Sequence, residues 1–248
     1  MAVSGLIFIG LLTFALLIWL IVVSDGRYFG TRGVRFVYQR SARFWNLDEA
    51  PTRERSRSRS EANTTLLHHL ETCLDGLRQP KVLDIATGTG RVPLLIAGIA
   101  GFDGHVTGVD ISRNMLARGR AIIRSEGLED QIALVESDGA DLPFDDGSFD
   151  LVCLVDAPLA RPRRTLDEMV RVLTPAGRSL IAKQSDRWVL AVPGMNRGSR
   201  WITRWLTQAG MADVDVETWH GGNIIITARK PREGKGQESS GLASVGPL

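Results

Sequence analysis

Three acidic residues lie where short apolar segments of the chain end, a position at which carboxylates can bind a polar ligand. Asp84 lies in the apolar segment 82–85 just before a glycine-rich turn, Asp110 closes segment 105–110, and Asp138 follows segment 132–137. If these segments are parallel strands of one sheet, their carboxyl ends meet at one edge, where open α/β sheets bind ligands. The spacing therefore predicts a site for a nucleotide-type cofactor.

The turn at 86–90 is rich in glycine and precedes an apolar helical segment. Gly88 and Gly90 let the backbone turn sharply and approach a ligand closely, and a following helix offers N–H groups and the positive end of its dipole. A dinucleotide fingerprint would need a third glycine where Pro93 stands, although Asp110 has the spacing of its ribose-binding acid. A phosphate-binding P-loop fits less well, because no Gly-Lys-Ser/Thr sequence follows Gly90.

Four segments of the chain resemble the class I S-adenosylmethionine (SAM)-dependent methyltransferases. The acid and G-x-G of 84–90 are similar to the first motif of that family, and 106–110 is similar to its second motif. Segment 138–152 resembles the third strand end and the fourth strand, and 170–178 resembles the helix, turn and fifth strand that follow. The resemblance covers about residues 60–230 and is closest to the broad group that includes the quinone-biosynthesis methyltransferases. It implies a SAM-dependent methyltransferase with a Rossmann-like sheet.

The resemblance also implies which residues contact the cofactor: Asp84, Ala86, Gly88, Gly90, Asp110, Ile111, Met115, Asp138 and Gly139. By this analogy Asp84 and the glycines of the turn hold the methionine part of SAM, and Asp110 accepts hydrogen bonds from the ribose hydroxyls. Asp138 and Gly139 flank the adenine, and Met115 packs on its face. Each acid alone could equally be a turn or helix-cap residue, but three acids in register favour the ligand site.

The sequence identifies the residues that carry out the transfer less clearly. Methyl transfer from a sulfonium is an in-line displacement, and much of its catalysis can come from holding donor and acceptor in line. If the acceptor is a phenol or a protonated amine, the candidate bases are Asp156, just beyond the fourth predicted strand, and His220, near the last hairpin. Each has a structural alternative, and segment 154–164 lacks the histidine that the family often places there, so the catalytic residues stay open.

The amino-terminal segment 2–23 carries no charged side chain. As a helix it would span about 33 Å, enough to cross a hydrocarbon core about 30 Å thick. A cleavable signal peptide is disfavoured, because no Lys or Arg precedes the apolar run and no convincing Ala-x-Ala site follows it. The pattern predicts a transmembrane anchor.

Arginines follow the predicted anchor. Segment 24–43 contains five arginines and one acid, Asp25, and positive flanks stay on the cytoplasmic side of a membrane. We therefore expect a single-pass membrane protein whose partner is the lipid bilayer and whose catalytic domain lies in the cytoplasm.

The composition of the whole chain excludes several classes of protein. The formal net charge is +2, from 30 basic and 28 acidic residues, and this near-neutral balance argues against a dedicated nucleic-acid-binding protein. Cys73 and Cys153 lack metal-ligand spacing and indicate neither a zinc site nor a disulfide framework. The sequence leaves the oligomeric state open.

Changes in composition predict four regions. These are a transmembrane anchor over 1–25, a basic juxtamembrane segment and linker over 26–62, a methyltransferase domain over 63–230 and a disordered tail over 231–248. The linker is indicated by the low complexity of the Arg- and Ser-rich sequence, and the tail by its few apolar residues.

Within the domain, helical and strand patterns alternate. Asn63 is predicted to cap the first helix, and the remaining helices and strands follow from the spacing of apolar residues. We predict helices over 91–100, 112–126, 164–174 and 199–209, and strands over 81–86, 105–110, 131–136, 149–155, 178–184, 212–219 and 223–229. Gly221 and Gly222 indicate a final hairpin. The sequence predicts an α/β fold with a seven-stranded, mostly parallel sheet, one antiparallel strand, helices on both faces and one preceding transmembrane helix.

The segment after the fifth predicted strand mixes arginines with tryptophans, as membrane interfaces do. Trp188 and its loop could face lipid or substrate, whereas Trp201 and Trp205, one helical turn apart, fit better as a helix face packed on the sheet. An anchored enzyme meets membrane acceptors at high effective concentration. We expect a small, lipophilic acceptor such as a quinone or a phospholipid. A non-catalytic SAM-binding membrane module and an NAD(P)-dependent oxidoreductase remain as alternatives.

Overall fold

The structure is a computed structural model that describes residue 13 and residues 30–41, 53–157, 160–183, 198–219 and 222–232. The predicted anchor (apart from residue 13), Trp188, His220 and most of the predicted tail lie outside these ranges. Within the described residues, no helix combines the length and apolarity needed to cross a membrane.

The described residues include six complete helices and seven strands. The helices are α1 (Gly30–Ser41), α2 (Arg53–Leu74), α3 (Arg91–Ala97), α4 (Arg113–Ser125), α5 (Pro162–Val172) and α6 (Ser199–Gln208). The strands are β1 (Lys81–Ile85), β2 (His105–Asp110), β3 (Ile132–Glu136), β4 (Phe149–Val155), β5 (Leu173–Lys183), β6 (Ala212–Trp219) and β7 (Asn223–Arg229).

All seven strands form one sheet in the order β3-β2-β1-β4-β5-β7-β6. The strands from β3 to β5 pair in parallel, and β7 is antiparallel to both of its neighbours. The prediction of a seven-stranded, mostly parallel sheet with one antiparallel strand is confirmed. The strand order reverses between β1 and β4, and crevices at such switch points are where open α/β sheets bind ligands.

The strands of the sheet alternate their buried side chains between two apolar layers. On β1 and β4, Leu83 and Val152 belong to the layer that includes Leu166 of α5 and Leu206 of α6. Their neighbours in sequence face the other layer, which includes residues of α2, α3 and α4. Helices therefore cover both faces, as predicted. The partly buried Trp201 and Trp205 of α6 pack against the first layer, in agreement with the interpretation of this helix as a packed element.

The helix before β1 differs from its prediction at the amino-terminal end. It begins at Arg53 instead of near Asn63, so the backbone of 53–62, predicted as linker, is helical. Asn63 is not a cap, because it lies inside α2 and its Oδ1 accepts a hydrogen bond from Arg91 Nε at 3.0 Å. The segment is rich in arginine, which favours helices despite the low complexity of the sequence.

Two further features differ from the prediction. Helix α1 lies in the predicted juxtamembrane segment and packs on α4, where Asn114 Nδ2 donates a hydrogen bond to the Gln39 carbonyl at 2.8 Å. Strand β5 begins at Leu173, directly after α5, instead of at residue 178. The other elements end within three residues of their predicted bounds.

Candidate cofactor site

The turn after β1 has an unusual backbone that opens one edge of the sheet. Ala86, Gly88 and Gly90 have positive φ angles of 59°, 58° and 89°, a region that glycine adopts freely and alanine only at a cost. Thr87 N–H donates to the Val109 carbonyl at 2.9 Å and ties the turn to β2. Strained non-glycine residues of this kind cluster at functional sites.

The glycines of the site have two different roles. A Cβ built on Gly88 meets no atom within 4 Å among the described residues, so this backbone faces open space that a ligand can enter. A Cβ on Gly139 would instead lie 2.6 Å from Ile85 Cγ2, a separation that requires side chains to shift. Gly139 is therefore needed for packing against β1, and its predicted place beside the adenine stays a prediction.

Asp84 presents a buried carboxylate oxygen to this opening. Its side chain is 2% exposed, and neither its Oδ2 nor the neighbouring Thr87 Oγ1 has a hydrogen-bond partner among the described residues. The pKa of Asp84 is raised to about 7, mainly by burial; the Thr87 hydroxyl acts to lower it, the Asp110 charge to raise it and the Arg91 cation to lower it. A ligand that brought a positive donor to Asp84 would favour its charged form.

Asp110 connects the glycine turn to the start of α4. Its Oδ2 accepts a hydrogen bond from Gly88 N–H at 2.9 Å, and its Oδ1 accepts one from Ser112 N–H at 2.8 Å. Burial raises the pKa of Asp110, and the N–H donors of Ser112, Gly88 and Ile111 oppose this. A carboxylate has about four acceptor positions, so Asp110 retains acceptor capacity for ligand hydroxyls.

The third predicted acid, Asp138, is paired with an arginine that the sequence analysis missed. Its Oδ2 accepts from Arg161 Nη2 at 2.5 Å and its Oδ1 from Ala140 N–H at 3.0 Å. Arg161 Nε is buried and has no hydrogen-bond partner among the described residues. Met115 is 1% exposed, and its contact with the adenine stays a prediction.

A second missed arginine connects the glycine turn to the end of β4. Arg91 donates from Nε to Asn63 and lies with Nη1 3.4 Å from Asp156 Oδ2. Asp156 has a left-handed backbone, with φ at 51°; burial raises its pKa and Arg91 acts to lower it. Because β1 and β4 are neighbours, with Asp84 opposite Cys153, Asp156 lies at the switch point. The other candidate base, His220, is outside the described residues.

The unpaired polar atoms of the described residues are concentrated in this region. Three buried side-chain atoms there lack a hydrogen-bond partner: Asp84 Oδ2, Thr87 Oγ1 and Arg161 Nε. Buried polar atoms are almost always paired, and those in the sheet interior follow the rule, as Ser179 Oγ does with the Ala228 carbonyl. The edge is thus equipped to bind a polar ligand.

Comparison with known proteins supports this assignment of the site. Residues 82–177, which begin in β1 and end in β5, match the family model described as a methyltransferase domain. This segment is a methyltransferase domain. It contains all nine residues predicted to contact the cofactor, together with Arg91, Asp156 and Arg161.

Curated relatives of the methyltransferase domain are methyltransferases. A demethylmenaquinone methyltransferase from Symbiobacterium thermophilum is 42% identical over 106 residues, which are 42% of this chain and 42% of the relative. Methyltransferase GfsG from Streptomyces halstedii is 37% identical over 125 residues, covering 50% of this chain and 44% of the relative. The chain thus spans less than half the length of these relatives.

Solved structures share the fold at low sequence identity. The [4+2]-cyclase SpnF aligns with a TM-score of 0.59 and 19% identity, over 68% of this chain and 80% of SpnF. Phosphoethanolamine N-methyltransferase 2 from Haemonchus contortus, solved with SAM, has a TM-score of 0.58 and 18% identity, over 68% of this chain and 53% of that one. The Rossmann-like methyltransferase fold is confirmed. The prediction of a SAM-dependent methyltransferase domain with SAM as cofactor is confirmed as well.

Proposed function

We propose that the whole protein is a membrane-anchored, SAM-dependent methyltransferase that acts on a small, lipophilic acceptor. The observation that carries the catalytic part is the group of unpaired buried atoms at one sheet edge, Asp84 Oδ2, Thr87 Oγ1 and Arg161 Nε. Leaving such atoms unpaired costs about 1 to 3 kcal/mol each. A site that retains this cost in the ligand-free fold is suited to a ligand that removes it on binding.

The residues present fit the polar groups of SAM. Asp84 and Thr87 offer two buried acceptors to the ammonium group of the methionine part, and the open space over Gly88 admits its chain. Asp110 retains acceptor capacity for the two ribose hydroxyls. When bound, SAM supplies an electrophilic methyl group on a sulfonium. The protein's own contribution is to hold that group and the acceptor in line and to exclude water.

Asp156 is the described side chain best placed to take a proton from the acceptor. It follows β4 at the switch point and its side chain is 39% exposed, so an acceptor can reach it. Partial loss of hydration raises its pKa, which improves a carboxylate as a base near neutral pH. Arg91 lies 3.4 Å away and favours the charged form that can accept a proton. An acceptor with an acidic hydroxyl would transfer the hydroxyl proton to Asp156 while its nucleophilic atom forms a bond to the methyl carbon. The C–S bond would break in the same step, and its electron pair would stay on sulfur as a neutral thioether.

The lipophilic acceptor is supported by the relatives and by the amino terminus. Several relatives are named demethylmenaquinone or ubiquinone/menaquinone biosynthesis methyltransferases, and the charge-free segment 2–23 predicts an anchor. The five arginines of 24–43 support a cytoplasmic catalytic domain. The Trp188 loop, outside the described residues, is proposed to line the route by which the acceptor enters.

The test is methyl transfer by the full-length protein in lipid bilayers, with labelled SAM and reduced demethylmenaquinone as the acceptor probe. We expect label in the extracted quinone and a much lower rate with a water-soluble hydroxynaphthalene of the same ring system. Asp84→Asn should abolish most of the transfer by weakening the binding of SAM, while the exposed Asp130→Asn serves as the matched control.

Three outcomes would contradict the proposal in different ways. Binding of SAM without transfer to either probe or to any extracted lipid would favour the non-catalytic SAM-binding module. Binding of NAD in place of SAM would favour the oxidoreductase. A preference for the water-soluble probe would mean that the anchor places the enzyme at the membrane but does not select a lipophilic acceptor.

A further inference from the structure

Helix α1 has a basic outer face that no other described element covers. Its side chains at 32, 35, 36 and 40 are exposed, and Val34, on the opposite side, is 5% exposed. At about 100° per residue these four positions form one continuous stripe. The stripe consists of Arg32, Arg35, Phe36 and Arg40, which we call the α1 outer face. The helix contains no acidic residue to neutralise it.

An aromatic ring lies within this cationic stripe. Phe36 is 59% exposed and is, with Val216 at 44%, one of two large apolar side chains exposed among the residues that the structure describes. The guanidinium carbon of Arg40 lies 5.7 Å from the centroid of the Phe36 ring. Arginines attract the anionic headgroups of a membrane surface, and an exposed aromatic ring among them can enter the boundary between headgroups and acyl chains.

The last turn of α1 fixes its position relative to the cofactor edge. Asn114, which makes the hydrogen bond to the Gln39 carbonyl, is the second residue of α4 and follows Asp110 by four positions. Helix α1 therefore lies beside the carboxyl edge of the sheet, where the cofactor residues are. A surface that contacted the α1 outer face would lie next to the opening of the site.

We propose that the α1 outer face binds the anionic headgroups of a lipid bilayer, with the Phe36 ring inserted at the boundary of the acyl chains. Charge complementarity selects this partner, because each arginine near an anionic surface strengthens binding and a neutral surface offers no such gain. The anchor of the proposed function would only tether the domain. This contact would orient the domain so that its cofactor edge is next to the bilayer.

The experiment places a fluorescent label at position 36 of the full-length chain, as Phe36→Cys, in bilayers that contain lipids with quenching groups. Cys73 and Cys153 are buried, and burial raises the pKa of both thiols, that of Cys73 to about 11, so the new thiol reacts first. The matched control is Val216→Cys, since Val216 is the other exposed apolar residue and lies on the edge strand β6.

We expect lipid quenching at position 36 in bilayers with phosphatidylglycerol, little in pure phosphatidylcholine, and none at position 216 in either. Replacing Arg32, Arg35 and Arg40 together by glutamine should lower the ratio of docked to free label by about fivefold for each arginine. Circular dichroism of each variant checks that the fold is retained.

Equal quenching in neutral and anionic bilayers would overturn the role of headgroup charge, and no quenching in either would overturn the proposal as a whole. Binding of single-stranded RNA that is lost in the triple variant, without quenching by lipid, would assign the face to a nucleic acid instead. Because no step depends on turnover or on SAM, a failure here is distinguishable from a failure of the proposed methyl transfer.

Discussion

Replacing Asp84 by asparagine should stabilise the ligand-free protein at neutral and alkaline pH while weakening its binding of SAM. The wild-type side chain is 2% exposed and one of its oxygens is unpaired, so ionising it inside the fold is unfavourable. Asparagine has nearly the same shape and carries no charge. The substitution therefore removes the unfavourable ionisation together with the acceptor that the ligand needs.

The size of the effect follows from the pKa of this group. The carboxyl titrates near 3.8 when unfolded and at about 7 in the folded protein, so between these values the folded state holds a proton that the unfolded state has lost. Stability consequently falls as the pH rises through this window, by about 1.36 kcal/mol per pH unit and about 4 kcal/mol in all. The variant lacks this loss. The asparagine amide of the variant is itself buried, and burying it costs about 1 to 3 kcal/mol of stability at every pH.

The assay is thermal and denaturant unfolding of the full-length protein in detergent micelles, followed by circular dichroism from pH 4 to pH 8.5. We expect the stability of Asp84→Asn relative to wild type to rise by about 4 kcal/mol between pH 4 and pH 7 and to level off at higher pH. The exposed Asp130→Asn should show no such trend. In calorimetry Asp84→Asn should bind SAM with a loss of about 1.5 to 3 kcal/mol, the scale of hydrogen bonds to charged groups.

The reasoning is refuted if the stability difference between variant and wild type is the same at pH 4 and pH 8. In that case the carboxyl would have found a partner or would be hydrated. In a second outcome, the variant gains stability with rising pH but binds SAM as tightly as wild type. That result would confirm that the buried carboxyl is unfavourable when ionised, and it would show that Asp84 does not contact SAM.

Four further substitutions separate packing, cofactor binding and proton transfer. Gly139→Ala should lower the free energy of unfolding by about 1 to 3 kcal/mol because of its contact with Ile85. Gly88→Ala should lower SAM affinity, since its Cβ faces the open space of the site, and should also lower the free energy of unfolding by about 1 to 2 kcal/mol, since its φ is left-handed. Arg171→Gln should lower stability by about 1 to 3 kcal/mol, because its side chain pairs with Glu168 of its own helix and holds Asp146 and two carbonyls of the loop before β4. Arg91→Gln should raise the pKa of Asp156, so the acid limb of the pH–rate profile should move to higher pH.

Each of these expectations has a result that would contradict it. Loss of SAM affinity in Gly139→Ala at unchanged stability would give that glycine a direct role at the adenine. An unchanged free energy of unfolding for Arg171→Gln would mean that the cost of ordering the Arg171 side chain cancels the gain from its ion pairs. Arg163→Gln, at an exposed position, is the control for this variant. An acid limb that stays in place in Arg91→Gln, or moves to lower pH, would exclude Asp156 as the titrating base.

The sheet was predictable because its strands have strong local signals. Segments 105–110, 149–155, 212–219 and 223–229 have the predicted bounds. Three of them are mainly β-branched and apolar, and 212–219 alternates acidic with apolar residues as far as Val216. The start of α2 was missed because an Arg- and Ser-rich sequence has no apolar periodicity to indicate a helix. Helix α1 was missed because its arginines were interpreted only as the flank of an anchor.

The acids of the site were predictable and their partners were not. Asp84, Asp110 and Asp138 follow from their positions at strand ends and from family motifs. The contacts of Arg91 with Asp156 and of Arg161 with Asp138 join residues 65 and 23 positions apart. Pairs so distant along the chain become visible only when the strand order brings their elements together. Local sequence patterns carry no such information.

The unpaired buried side-chain atoms of the described residues lie at one edge of the sheet, and this distribution itself argues for binding. They belong to Asp84, Thr87 and Arg161, and the left-handed backbones of Ala86 and Asp156 lie at the same edge. Unfavourable features that had no function would be spread over the sheet and its loops. Features retained for a function cluster where that function compensates for their cost. A ligand that neutralised Asp84 and paired these atoms would raise the stability of the folded state in proportion to its own affinity. Binding of the cofactor would then also supply the hydrogen-bond partners that the folded protein lacks at this edge.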